Sequence, residues 1–308
     1  MINQTDAERI ETILFSRVTK ELARLRLSGR RMVHYTNAEV AFSILQHQQI
    51  SMRNAVAMND YSEVQYGEDC LHAALNSQHG CKLKEILDSV SPGMYDKLLY
   101  DHHAMQPYVR ASTYMTCASE HKEAENLNGR LSMWRAYGGD NGVALIINPD
   151  TIINGDIQLR AYSSPVAYFR KDEFIDQFGQ VISNMGRARD QLEACGHDFL
   201  FNTILRAFRF ATLSTKHPGF AEELEWRIIY MPEFQRSRLI AQTSEVIAGV
   251  PQTIHKLPLQ NLGDVEKIII GPSKFPLIIR DAFVDHLSTH GVHDADSRVV
   301  VSEIPLRR

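Results

Sequence analysis

The stretch Lys216-His217-Pro218-Gly219-Phe220-Ala221-Glu222-Glu223-Leu224-Glu225-Trp226-Arg227 decides how the rest of the chain is read. Pro218-Gly219 marks a turn, and the residues behind it predict a strand that starts at once. On such a strand Glu223, Glu225 and Arg227 share one face, while Leu224, Trp226 and Ile228 share the other. Two carboxylates on adjacent same-face positions repel, so one of them needs a raised pKa or a cationic partner, and Arg227 is placed to serve. Such a cluster costs stability and serves chemistry. The competing explanation is the exposed polar face of an edge strand.

Working outward, Gly142 to Asn148 (GVALIIN) reads as a buried strand and Ser112 to Ala118 as another. Between them Leu131 to Tyr137 predicts a short helix stopped by Gly138. Trp134 should be buried there, with Arg135 reaching a cleft or the glutamate pair, since an arginine beside a core tryptophan needs a partner. Nearer the start, Arg30 to Tyr35 predicts a strand, and Thr36-Asn37 caps a helix with Val40, Ala41, Ile44 and Leu45 on its apolar face. His34 and Tyr35 at that strand's end offer hydrogen-bonding and a flat ring. Ile50 to Arg53 reads as a strand. Asp60-x-x-Glu63 has cap spacing, which leaves Asn59 to orient a backbone or a ligand. Helices are expected over 6–27, behind the capping box Thr5-Asp6-Ala7-Glu8, over 82–106 with a break at Ser91-Pro92-Gly93, and over 171–214 with a break near Cys195-Gly196. Later strands are expected at 225–231, 245–248, 265–270 and 298–304, with a helix over 276–290. The irregular alternation predicts an α+β fold with a mixed, mostly antiparallel sheet. It reads as a single domain over 1–308: an N-terminal helix, 1–29, and a core, 30–308, with helical insertions at about 82–106 and 171–214.

Hydrophobic residues make up 44% and charged residues 23% of the 308, and the net charge is −4. That is an ordinary globular balance with no global basic field for nucleic acid, although a local basic face is compatible with it. The chain contains neither G-x-G-x-x-G nor G-x-x-x-x-G-K-[ST], so the usual phosphate loops are missing. Cys70, Cys81, Cys117 and Cys195 form no C-x-x-C, so free, mostly buried thiols and no metal site are expected. The polar opening MINQTDAERIE lacks a leader pattern, and no apolar run reaches about 18 residues, so a cytoplasmic chain without membrane contact is expected.

In this order, His34-Tyr35-Thr36, Asn59-Asp60-x-x-Glu63, Trp134-Arg135-x-Tyr137-Gly138 with a GVALII strand, and Glu223-x-Glu225-Trp226-Arg227 resemble a widespread uncharacterised bacterial domain family over most of residues 30–275. That family in turn resembles ADP-ribosyltransferases of the bacterial toxin and phage-defence types. The resemblance implies a split sheet, NAD as substrate, and a macromolecular acceptor, protein or RNA or DNA, with a neutralising partner as an option. It implies that His34 holds the ribose, with Tyr35 near the nicotinamide and Thr36, Asn59 and Arg135 in support. Ser119, ending Thr116-Cys117-Ala118-Ser119, takes the middle-motif place. Glu225 becomes the catalytic carboxylate and Glu223 positions the acceptor. The middle motif departs from the usual Ser-Thr-Ser. The chemistry is sensible: an ionised carboxylate in a dry site stabilises the cation that develops as nicotinamide leaves.

Two other functions compete. Pro149-Asp150 with Glu225-Trp226-Arg227 loosely imitates a metal-dependent nuclease, with Arg in place of the usual Lys. A non-catalytic ligand-sensing protein would leave NAD, metals and nucleotides unchanged.

Overall fold

The computed structural model describes residues 4–58, 61–153, 159–247 and 249–305. In chain order it runs α1 (Gln4–Leu14), α2 (Ser16–Ser28), β1 (Arg31–Asn37), α3 (Ala38–His47), β2 (Gln49–Asn54), α4 (Tyr61–Leu75), α5 (Gln78–Val90), α6 (Met94–Ser112) and β3 (Tyr114–His121). Then follow α7 (Leu131–Met133), β4 (Asn141–Ile147), α8 (Pro149–Ile153), β5 (Tyr162–Pro165), β6 (Ala167–Tyr168), α9 (Lys171–Arg187), α10 (Arg189–Cys195) and α11 (His197–Leu213). Last come β7 (Thr215–Lys216), β8 (Glu225–Tyr230), β9 (Ala241–Ile247), β10 (Val250–Pro258), β11 (Val265–Ser273), α12 (Pro276–Thr289), α13 (Ala295–Arg298) and β12 (Val299–Val301).

Most expected elements are present. Asn37 does cap α3, accepting from the Val40 N–H at 2.8 Å, and Ala41, Ile44 and Leu45 are buried as expected. Two expectations need correction. The first helix is two, interrupted at Phe15. Strand β10 had no counterpart in the sequence reading, because Pro251 and Pro258 and the polar run Gln252, Thr253, His255 and Lys256 hide its pattern. Pro is tolerated near the ends of a strand, where it removes few ladder bonds. The expected cap at Asn59-Asp60 falls outside the described residues.

The chain forms two compact units, each of three separated segments: 1–27, 55–111 and 164–221 in one, and 28–54, 112–163 and 222–308 in the other. The first is helical. Its core joins Ile10 of α1, Leu71 of α4, Leu83 and Leu87 of α5, Leu98 of α6, Phe174 and Ile182 of α9 and Ile204 of α11. Within it Lys216 is completely buried and is balanced by Glu63 at 2.9 Å. Cys70 and Cys195 are buried as expected, whereas Cys81 is exposed; all four thiols are free.

Helices α4 and α11 approach so closely that a Cβ on Gly67 would stand 2.1 Å from the Thr212 carbonyl oxygen. That contact is with backbone, which cannot swing away. Gly67→Ala is therefore expected to destabilise the protein by about 1–3 kcal/mol despite the higher helix propensity of alanine, read from the urea midpoint.

On α6, His102 is buried against Phe208, ring centroids 5.5 Å apart. Burial first, and then His103 and Arg209, push its pKa down from 6.5 to about 4. The unfolded chain takes up that proton first as the pH falls. The stability from His102 is thus intact above about pH 6.5 and is lost on the way down to about 4, by about 3 kcal/mol in all. Melting curves between pH 7 and 4 should show this acid loss, and His102→Gln should flatten it.

The second unit is built on a ten-stranded sheet among the described residues, in the order β12-β11-β4-β1-β3-β2-β10-β9, with β8 on the far side of β3 and β5 beside β8. Within this sheet the pairings with a described register are antiparallel except β11 with β12, where α12 makes the crossover that a parallel pair needs; the separate two-stranded sheet β6-β7 is parallel. The sheet is therefore mixed and mostly antiparallel. No helix among the described residues is long and apolar enough to cross a membrane.

Candidate functional site

Three neighbouring strands carry His34, Ser119 and Glu225. β3 lies between β1 and β8, with Val33 opposite Ser119 and Ser119 opposite Glu225. These three therefore stand side by side on one face. Ser119 is 2% exposed, Glu225 5% and Arg227 0%. The Arg227 Nε–H donates to Glu225 Oε1 at 2.9 Å, so the cationic partner expected for the pair is where the sequence put it.

The pairing of β1 with β3 covers Arg31 to Val33, and β3 pairs β2 only at Met115 and Tyr114. Between these two ladders, at Thr116 to Ala118, β3 pairs with neither β1 nor β2, although its other edge stays paired with β8, and the sheet opens on that one side. His34 lies at that opening. By alternation it belongs to the face opposite Glu225, yet its Nδ1 lies 2.8 Å from the Cys117 carbonyl oxygen, where a ladder bond would otherwise form. A carbonyl only accepts, so Nδ1 carries the proton, and the neutral ring keeps a lone pair on Nε2. Burial lowers the His34 pKa, with the Cys117 carbonyl working against it. Thr36 is half-buried beside Val143 of β4.

Tyr35 is a core residue and not an open stacking platform. It is 6% exposed, its ring meets Trp134 edge-on at 4.8 Å, and its hydroxyl accepts from the Arg130 backbone N–H at 2.8 Å. Burial pushes its phenol up to about 12. Trp134 is buried as expected, its Nε1–H donating to the Asn128 carbonyl at 2.8 Å. The indole fits because glycines surround it: a Cβ on Gly129, Gly142 or Gly271 would come within 2.6, 2.9 and 2.8 Å of it respectively. From Trp134 to Gly138 the backbone winds as a π-helix, a form that often marks functional segments.

Arg135 departs from expectation. It is exposed and joins no ion pair among the described residues, because the π-turn points it away from the core that holds Trp134. The organising cation is Arg130, which the sequence reading passed over. Its side chain pairs with Glu125 through Nε at 2.9 Å and Nη2 at 3.0 Å. It also donates to the carbonyls of Glu222 at 2.6 Å, Glu223 at 3.2 Å and Glu120 at 2.9 Å. One guanidinium thus ties the end of β3 to the turn that delivers β8, which suits its fork of five donors. The only sequence signal was its place after Gly129 at a helix start.

Glu223 also departs from expectation. It ends a 3-10 turn over Pro218–Glu223, and Leu224 adopts a left-handed φ of +47° before the strand begins at Glu225. That residue breaks the alternation, so Glu223 and Glu225 do not share a strand face. Glu223 is half-buried and accepts from the Tyr137 hydroxyl at 3.3 Å. Asn59 lies outside the described residues. No three His, Cys, Asp or Glu side chains come together to hold a metal ion among the described residues.

No curated protein and no solved structure matches the chain. Residues 133–228, which open on the Trp134 turn and end inside β8, match the model of an uncharacterised domain family, described as Protein of unknown function (DUF2971).

Proposed function

We propose that the protein is an ADP-ribosyltransferase-like enzyme that cleaves NAD and modifies a macromolecule, protein or nucleic acid. The observation that carries this reading is the strand order β1-β3-β8, which sets His34, Ser119 and Glu225 on three adjacent strands beside an opening in the sheet. The bare Nε2 of His34 suits a ribose hydroxyl as hydrogen-bond donor. The dry surroundings of Glu225 suit stabilisation of positive charge as nicotinamide departs. Ser119, directly opposite Glu225, suits support of the same ring. Tyr35 fits a different role, holding Arg130 and Trp134 in place. The reading requires the ligand to enter the opening, because His34 and Glu225 do not share a sheet face.

The test is nicotinamide release and transfer of labelled ADP-ribose to lysate protein or RNA, with and without a chelator. Label transfer that survives chelation supports the proposal. Metal-dependent loss of nucleic acid would replace it with the nuclease reading. Inertness in both assays would favour a ligand-sensing protein in which the Glu225–Arg227 pair serves the fold.

A further inference from the structure

The opposite end of β3 borders a separate cavity. Ser119 and Tyr114 are five residues apart on β3, about 17 Å along the strand, and by alternation they point to opposite faces. At the far end Tyr114 stands opposite Tyr230 of β8, and a polar cavity of about 580 Å³ opens over them. Its walls include His255 and Thr253 of β10, Gln242 of β9, and Arg236 and Arg238 from the loop after β8. That loop is fixed. The Ser237 N–H donates to the Tyr230 hydroxyl at 3.0 Å, and Ser237 Oγ accepts from the N–H groups of Leu239 and Ile240.

Three features of this cavity are unexplained by the fold. Arg236 and Arg238 are exposed, and neither has an acidic partner among the described residues. His255 is 3% exposed, wedged edge-on against Tyr114 at 4.2 Å and Tyr230 at 5.1 Å. Its buried Nδ1 has no hydrogen-bond partner. A buried ring nitrogen left without a partner costs free energy, which a ligand can recover.

We infer that this cavity binds a phosphate-bearing small molecule of nucleotide size. Two arginine forks match phosphate oxygens in number and geometry. The volume exceeds what inorganic phosphate fills and falls within the range of roughly 300–1,000 Å³ found for small-molecule sites. Gln242 and Thr253 add an amide and a hydroxyl for sugar or base groups, and the half-buried Tyr114 ring adds an apolar surface. Glu233 at the same cavity opposes the two cations, which leaves a net charge of about +1 there and selects for anions without holding them irreversibly.

The experiment is calorimetric titration of the full chain with ADP, pyrophosphate and adenosine at two salt concentrations. ADP should bind, weaken with salt, and bind more tightly than pyrophosphate, while adenosine should not bind measurably. Arg236→Gln and Arg238→Gln should each weaken ADP about tenfold or more, and together about a hundredfold. Glu233→Gln should tighten it. All three residues are exposed, so folding is not at risk, and a melting curve checks this. No ADP binding at millimolar concentration, equal binding of adenosine, or unchanged affinity in the double arginine variant would each overturn the inference.

Discussion

Trp134→Ala is expected to cost about 3–5 kcal/mol of folding stability. The indole is 5% exposed and lies among three glycines whose missing side chains define its space. Those glycine backbones cannot close over the vacancy, so the cavity term adds nearly in full to the lost transfer energy. The Tyr35 ring loses its edge-on neighbour, and through its hydroxyl the Arg130 backbone loses support. Trp134→Phe should cost much less, since it keeps a ring and gives up the bond to the Asn128 carbonyl. The measurement is urea unfolding, with midpoints compared at unchanged m. A Trp134→Ala cost below about 1 kcal/mol would mean that the segment repacks and that Trp134 anchors nothing.

Glu225→Gln is expected to reduce nicotinamide release on the order of 10²–10³-fold, which is the usual consequence of losing one preorganised charge in a dry site. Glutamine keeps the size and still offers an oxygen to Arg227 Nε, so shape is preserved while charge is removed. A stability loss on the order of 2 kcal/mol should accompany it, because the fully buried Arg227 guanidinium loses a counter-charge. Rates must therefore be compared well below the melting temperature of the variant. Glu223→Gln should behave differently. Its carboxylate is half-buried and touches the Tyr137 hydroxyl, outside the strand. Transfer to the acceptor should fall while slow release of free ADP-ribose persists. Near-wild-type release in Glu225→Gln would remove the transferase mechanism and leave the ion pair as a structural element.

How far the sequence could be read depended on what each segment's pattern was answering to. Strands such as Gly142 to Ile147 are buried on both faces and show as plain apolar runs, so they were readable. Helix α3 was readable because Asn37 caps it by a purely local bond. Strand β10 was not, because its two buried aliphatic residues, Ile254 and Leu257, are three apart and so do not alternate, and because polar Thr253 and His255 line the cavity between its prolines. Glu223 was placed on a strand since alternation cannot reveal that Leu224 takes a left-handed φ, a conformation uncommon for leucine. Tyr35 looked available for stacking, because nothing local shows that a tryptophan almost a hundred positions later packs on its edge. Arg130 was invisible for the same reason: three of its five side-chain bonds depend on where the carbonyls of Glu120, Glu222 and Glu223 arrive, and the other two on a loop that brings Glu125 round. The opening at His34 emerges only from which strands pair and where those pairings stop.

The threefold interruption of each compact unit has a consequence for how the protein is made. Helix α1 leaves the ribosome long before α9, α10 and α11, the helices it packs against, have been synthesised. Likewise β1 and β4 must wait for β11, and β11 for β12 at Val299–Val301. One core cannot close during translation until α11 exists and the other until β12 exists, so apolar strands such as GVALII spend that interval exposed and prone to association. Low yield on rapid overexpression, relieved by slower synthesis at reduced temperature, is the expected signature. No continuous fragment of the gene can supply either unit by itself.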